Sequence, residues 1–238
     1  MQRAFLSIAL RRITLSSACA MAALLSVHTA AQVAPSAQEV SNYKGLHAAA
    51  HHGDMAQIEQ LIRANADMSA LDRNRRTPLH VATFAKQREA IQALAKAGAD
   101  LNTLDADRYD AVTIASVADD EVTLKLLLQL GASAKQITSR YDGSALIAAA
   151  HLGHDGVVRQ LIAAGAPLNL VNNLHWTAVI ESIVLGNGGA RHQATLKALI
   201  SAGASLTLTD RQGNTPLQLA KSRGYSEMVK MLEAAGAK

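Results

Sequence analysis

An all-α fold, a solenoid of stacked helix–turn–helix units, is what this 238-residue sequence predicts, and three observations carry that reading. The first is a repeat. Gly98-Ala99-Asp100 recurs as Gly131-Ala132-Ser133, Gly165-Ala166-Pro167, Gly203-Ala204-Ser205 and Gly236-Ala237-Lys238, with Asn65-Ala66-Asp67 as an altered first copy. The spacings from Asn65 are 33, 33, 34, 38 and 33 residues, and Leu46, Leu79, Val112, Leu146, Val179 and Leu217 run in phase with them. The second is helix punctuation: Thr77-Pro78-Leu79 and Thr215-Pro216-Leu217 place a hydroxyl at an N-cap and Pro at the first helical position, where its missing N–H costs nothing. The third is composition. The chain is 49% hydrophobic but only 3% aromatic, so its core must come from Ala, Leu, Ile and Val, which suits closely packed helices. With 18% charged residues and a mean hydropathy of +0.08, intrinsic disorder is excluded.

Residues 1–31 read as a signal peptide, with Arg3 and Arg11-Arg12, an uncharged run from Ile13 to Val27, and Thr29-Ala30-Ala31 ahead of a cut after Ala31. The run is shorter than the ~20 apolar residues of a spanning helix, so no membrane attachment is expected after cleavage. Cys19 suits a lipoprotein signal poorly, because Ser16 stands where a Leu-like residue is needed, and the residues after Arg11-Arg12 do not extend a twin-arginine match. The remaining chain has no Cys, which fits an oxidising compartment without a disulfide framework. A periplasmic location is the expectation. Three of the 23 Lys+Arg lie in the signal segment, leaving 20 against 19 Asp+Glu, so the pI of 9.3 does not point to nucleic acid. No Lys/Arg run longer than Arg75-Arg76 follows, and nucleic acid is not an expected partner.

Residues 32–38 read as a short linker, and six units follow at 39–71, 72–104, 105–137, 138–171, 172–209 and 210–238. Asp110, Ser144 and Thr177 stand at the same cap site as Thr77, whereas Lys44 in the first unit cannot cap. A second helix follows in each unit, as in Glu89 to Lys96 or Val157 to Ala163, with Ile91, Leu94, Val158, Leu161 and Ile162 at helical spacing. It ends at a Gly able to turn left-handed, a task for which Asn65 is the next most tolerant residue. One extra residue lies near Ser139 and five lie between Gly186 and Gln193. The last unit interleaves Glu227, Lys230 and Glu233 with the apolar residues of its final helix, as a solvent-facing end should.

A 33-residue unit with Thr77-Pro78-Leu79-His80, paired Leu or Ile residues and Gly98-Ala99-Asp100 resembles the ankyrin repeat, and Asp72 to Leu104 and Asp210 to Lys238 are its closest copies. Arg75, Arg108 and His175 depart from it, standing where a turn Gly is usual. The stretch from Asn172 to Gly203, with Trp176-Thr177-Ala178-Val179-Ile180, is similar to one seen in bacterial exported ankyrin proteins. The resemblance implies β-turn fingers projecting to one side, His47 and His80 in an inter-repeat hydrogen-bond network, and binding of a protein through finger tips and inner helices. The matching positions are Arg73, Asn74, Arg76 and Phe84 in the second repeat, Asp107 and Tyr109 in the third, and Tyr141, His151 and Leu152 in the fourth. Leu174 and Trp176 match in the fifth, and Arg211, Gln212 and Arg223 in the sixth. Trp176, Tyr109 and Arg76 are the expected anchors.

Catalytic chemistry is not indicated. No Gly-x-Ser-x-Gly elbow, His-Glu-x-x-His helix or phosphate loop is present, and Gly186-Asn187-Gly188-Gly189 follows a helix rather than a strand. His47 with His51, and His151 with His154, share helical faces, but third and fourth metal ligands at suitable spacing are missing. Asp105, Asp107 and Asp110 lack the Gly and terminal Glu of a calcium loop, and Asp119-Asp120-Glu121 reads as a solvated turn and helix N-terminus. The expectation is a non-enzymatic monomer that binds a protein partner without cofactor or metal, protecting or inhibiting an exported enzyme or toxin. The alternatives are an enzyme or metal-binding protein built on a His cluster, and a structural spacer.

Overall fold

Six helix pairs stacked in two layers carry the described residues. The structure, a computed structural model, describes residues 33–238, so the signal segment 1–31 lies outside the described residues. A short helix α1 (Ala37–Asn42) comes first. The inner layer is α2 (Gly45–His52), α4 (Pro78–Phe84), α6 (Ala111–Val117), α8 (Ala145–Leu152), α10 (Ala178–Val184) and α12 (Pro216–Ser222). The outer layer is α3 (Met55–Arg63), α5 (Arg88–Lys96), α7 (Glu121–Gln129), α9 (Asp155–Ala163), α11 (Ala190–Ser201) and α13 (Ser226–Ala234). Each inner helix packs on the inner helices before and after it, and each outer helix does the same. Among the described residues no helix is long and apolar enough to cross a membrane.

The repeat pattern explains both layers. Leu79, Val112, Leu146 and Val179 are buried between inner helices, while Leu94, Leu127, Leu161 and Leu199 are fully buried in the outer layer. Burial of a Leu or Val contributes about 1.5–3 kcal/mol, which ties stability to contact between neighbouring units. The caps fall at the expected places. Thr77, Asp110, Ser144, Thr177 and Thr215 each accept a backbone N–H three residues on, and Lys44 makes no such bond. Asn65 replaces the terminal Gly with φ +56°, and Arg75, Arg108 and His175 take φ +57°, +64° and +63° at the turn positions where Gly is usual. For L-residues that conformation costs roughly 1–2 kcal/mol each, so the finger geometry is held by the contacts around it.

Two features differ from the sequence reading. The stretch read as a linker leads into α1, whose N-cap Ser36 and N3 residue Glu39 form a reciprocal capping box. The insertion in the fifth unit adds a loop at 186–189 and lengthens the outer helix, α11, to 12 residues where most outer helices have 9.

Helix α1 also overturns the surface role expected of Arg76. That side chain is 2% exposed, its Nη2 lying 2.6 Å from Glu39 Oε1 and its Nε 3.2 Å from Asp72 Oδ2. It bonds the N-terminal helix to the second repeat and offers no surface to a partner. Asp120 likewise is not solvated: it is buried, caps α7, and holds Arg88 Nη2 at 3.0 Å.

Gly165 has φ +79° with only Lys135 Cε, at 3.5 Å, near the position a Cβ would occupy, so a side chain there fits in space but not in conformation. Gly165→Val is expected to destabilise by about 1 kcal/mol or more and to lower the melting temperature by a few degrees. A thermal unfolding curve matching the parent would show that this helix end does not need the left-handed turn.

The α1 clamp also has a pH dependence. The Ser36 backbone N–H and hydroxyl hold the Glu39 carboxyl below its ordinary value of 4.5; burial opposes them, and the Arg76 guanidinium lowers it further. A carboxylate lowered on folding contributes stability that is present above 4.5 and lost as the pH falls through the lowered value. Protection of the Val40 and Tyr43 amides from hydrogen exchange, relative to their intrinsic rates, should therefore fall below that pH more than protection within α8. Glu39→Gln should start less protected and respond less to acid; protection indifferent to acid in the parent would refute the linkage.

Candidate partner-binding surface

The fingers are built by one device used repeatedly. Asp72 donates its N–H to Arg76 O at 3.0 Å, and its carboxylate accepts the Asn74 and Arg76 N–H groups at 2.8 Å each. Asp105 accepts from Asp107 and Tyr109, and Asp210 from Gln212 and Asn214, in the same way. In the fifth repeat Asn172 Oδ1 takes the Leu174 and Trp176 N–H groups at 3.0 and 2.9 Å. A short side chain folding back on its own turn leaves few backbone groups for water to compete for.

Fingers are also bonded to each other. The Ala106 N–H donates to Asn74 O, Ser139 N–H to Arg108 O and Asn173 N–H to Tyr141 O, each at 2.9 Å, and Arg211 Nη2 reaches Asn173 O. Arg140 lies 2.7 Å from Asp107 and Arg108 lies 2.9 Å from Asp142. The result is a continuous row of restrained tips.

Beneath the tips runs a buried polar line. His47 Nε2 is 2.9 Å from Arg76 O, and His80 Nε2 is 3.1 Å from Tyr109 O. Since His80 Nδ1 receives the Thr77 N–H at 3.1 Å, the network assigns the proton to Nε2, which donates to the next finger. Burial pushes the His80 pKa down, with Asp105 and the carbonyl bonds opposing, so the imidazole serves here as a neutral strut. Burial raises the carboxyl of Asp110, which caps α6, against hydrogen bonds from Thr113.

The expected contact residues divide between two ends of the inner helices. Arg73, Asn74, Asp107, Tyr109, Tyr141, Leu174, Trp176, Arg211 and Gln212 lie on the finger row, whereas Phe84, His151, Leu152 and Arg223 lie at or just past the C-terminal ends of inner helices. Arg73, Asn74, Leu152, Arg211, Gln212 and Arg223 are exposed, and the others of this set are half-buried. Asp107 is held by Arg140, and His151 Nδ1 is 3.3 Å from the Glu181 carboxylate.

Glu181 escaped the sequence reading. It is 5% exposed on α10, accepting the Asn172 side-chain amide at 3.0 Å on one oxygen and facing His151 with the other. The available signal was Asn172, standing where Asp72, Asp105 and Asp210 open their repeats: a carboxylate there would face Glu181, and an amide donates to it instead. The insertion gives a second missed contact. Arg191 Nη2 reaches Asp119 Oδ2 at 2.6 Å and its Nε reaches Gly153 O at 3.1 Å, while His192 Nε2 is 2.9 Å from His151 O. Among the described residues no group of three or more His, Cys, Asp or Glu is arranged to hold a metal ion.

This architecture is shared with known proteins. The family model for ankyrin repeats (3 copies) matches residues 18–105, 46–140, 111–210 and 146–238. The chain is 42% identical over 100 residues to the ankyrin repeat protein YahD of Escherichia coli (strain K12); the match covers 42% of this chain and 50% of that one, about half its length. A crystal structure of an ankyrin repeat domain from Acinetobacter baumannii AYE is similar at 43% identity and a TM-score of 0.77, covering 81% of this chain and 98% of the other. At 24% identity and a TM-score of 0.67, the fold also matches a chain in the structure of the Bd0816 predatory endopeptidase from Bdellovibrio bacteriovorus in complex with immunity protein Bd3460, covering 81% and 98%. With the repeat period, the paired helices and the bonded fingers all in agreement with that family model across the chain, this protein belongs to the ankyrin-repeat family.

Proposed function

We propose that this chain is a non-enzymatic module that binds a protein partner along its finger row and inner helices, and that it does so in the periplasm. Ankyrin repeats imply a protein–protein interaction module, and the observation that carries the reading here is the state of the finger aromatics. Tyr109, Tyr141 and Trp176 are half-buried on adjacent fingers whose backbones are bonded to one another, so they present contact area with little entropy left to lose. Trp and Tyr held this way are the usual energetic anchors of interfaces. The fold matches a chain in the structure of a predatory endopeptidase in complex with an immunity protein, which supports a partner that is an enzyme or toxin. On this reading the module protects or inhibits that partner. Phe84, His151 and Leu152 would add contacts at the C-terminal ends of α4 and α8, and Arg76 is no part of the surface.

Trp176→Ala and Tyr109→Ala should keep the parent's helical circular dichroism and each weaken retention of the protein captured by crosslinking from a cell envelope, by on the order of 2 kcal/mol. Two folded variants that bind as well as the parent would move the interface elsewhere, first to the insertion from Asn187 to His192.

Export rests on Arg3, Arg11-Arg12, the apolar run and Thr29-Ala30-Ala31. Intact-mass measurement on protein from an envelope fraction should give a start at Gln32. Full-length protein recovered from the cytosol would overturn the location.

A further inference from the structure

The charges of the finger row are sorted in a way the whole-chain balance conceals. Its carboxylates are engaged within the fold: Asp72 with Arg76, Asp107 with Arg140, and Asp142 with Arg108. Asp105 and Asp210 are spent on the amides of their own fingers. The cations are not matched in return. Arg73 and Arg75 project from the second finger, exposed, with no carboxylate within ion-pair distance among the described residues. Arg211 on the sixth finger is exposed and meets only a backbone carbonyl. In the middle, Arg108 and Arg140 are 46% and 58% exposed beside Asp partners at 52% and 40%, so charge there is balanced and the excess lies at the ends.

From this we infer that the partner presents an acidic surface to the finger row, with its strongest cluster of carboxylates meeting Arg73 and Arg75. The inference rests on the finger row being the interaction surface and adds the chemistry of what docks there. Unpaired guanidinium groups on a restrained scaffold offer planar, two-pronged donors to carboxylates and steer association over a Debye length. Arg75 sharpens the point. Its left-handed backbone, at φ +57°, is one that Gly adopts without strain, and its exposed side chain makes no ion pair in the fold.

Nucleic acid is the other polyanion to weigh, and the row is ill-suited to it. The free cations sit at the two ends, with Asp107 and Asp142 between them, whereas a phosphate backbone presents charge continuously and favours an unbroken stripe.

The test uses fluorescein-labelled hexaglutamate, followed by anisotropy at rising NaCl, against the full mature chain. A double variant, Arg73→Ala with Arg75→Gly, removes both guanidinium groups while keeping a residue suited to positive φ. A control, Lys96→Ala with Lys125→Ala, removes the same charge from exposed positions on α5 and α7. The finger variant should bind hexaglutamate roughly fivefold more weakly than the parent, the control should match the parent, and salt should erase the difference. Equal weakening in both variants, or none in the finger variant, would overturn the inference, as would tighter binding of a short DNA duplex carrying the same number of charges. Trp176→Ala, read in parallel, separates the two readings. If it loses its captured protein while the finger variant keeps hexaglutamate, the interaction surface stands and the acidic partner falls; if it keeps that protein, the finger row is not the interaction surface and the inference falls with it, whatever the finger variant does.

Discussion

Ile91, Leu94, Leu124, Leu127 and Leu161 are buried where each helix pair packs together and stacks on the pairs beside it, and this dependence of each unit on the next governs the rest of the molecule. A seven-residue inner helix with a nine-residue outer one has no interior of its own, and helices that short are marginal in water even with good caps. Stacking supplies the missing burial, but it also fixes the angle and spacing at which every finger leaves the array. The finger row is therefore rigid as a consequence of core packing, before any tip-to-tip bond is counted.

That dependence explains why so much could be read from sequence and where reading stopped. Period, caps and left-handed turns are local, and Thr77, Asp110 and Arg75 reveal them within four or five residues. Arg76 was misplaced because its position precedes a cap just as Tyr109, Trp176 and Asn214 do, and those three are half-buried. What buries the Arg is Glu39, on a helix 37 residues away that takes the place of a first finger. The Ser36 and Glu39 capping box was missed when residues 32–38 were read as a linker, and the partner it positions was not legible either, because an ion pair across two elements leaves no periodic trace. Asn172 and Glu181 are a similar case, a pair of departures each unremarkable alone and compensating only once α10 is seen to pack beneath the fifth finger.

Burying Arg76 between two carboxylates is a conditional gain, since removing either partner leaves charge without compensation. The array uses it at its N-terminal end, where Lys44 cannot cap α2 and the first unit has no finger of its own to bond. Tyr43 adds to the same corner, its hydroxyl donating to Asp72 at 2.8 Å. Fraying from this end is opposed by polar contacts from α1, whereas each interior unit is covered by a helix pair on both sides.

The insertion changes the rule that neighbours alone communicate. Arg191 belongs to the fifth unit, yet it bonds Asp119 of the third and the Gly153 carbonyl of the fourth, while Tyr225 of the sixth donates to the Gly186 carbonyl at the loop's start. Individually these are rim contacts worth about 1 kcal/mol or less. Collectively they span four units along the edge opposite the fingers, and a tie on one edge resists the hinge opening that would spread the tips on the other. Curvature in a nearest-neighbour array is otherwise the sum of small, independently fluctuating rotations. By tying the third unit to the fifth, the insertion correlates those rotations where Tyr109, Tyr141 and Trp176 stand, so the segment that interrupts the repeat most visibly also restrains the surface the repeats exist to present.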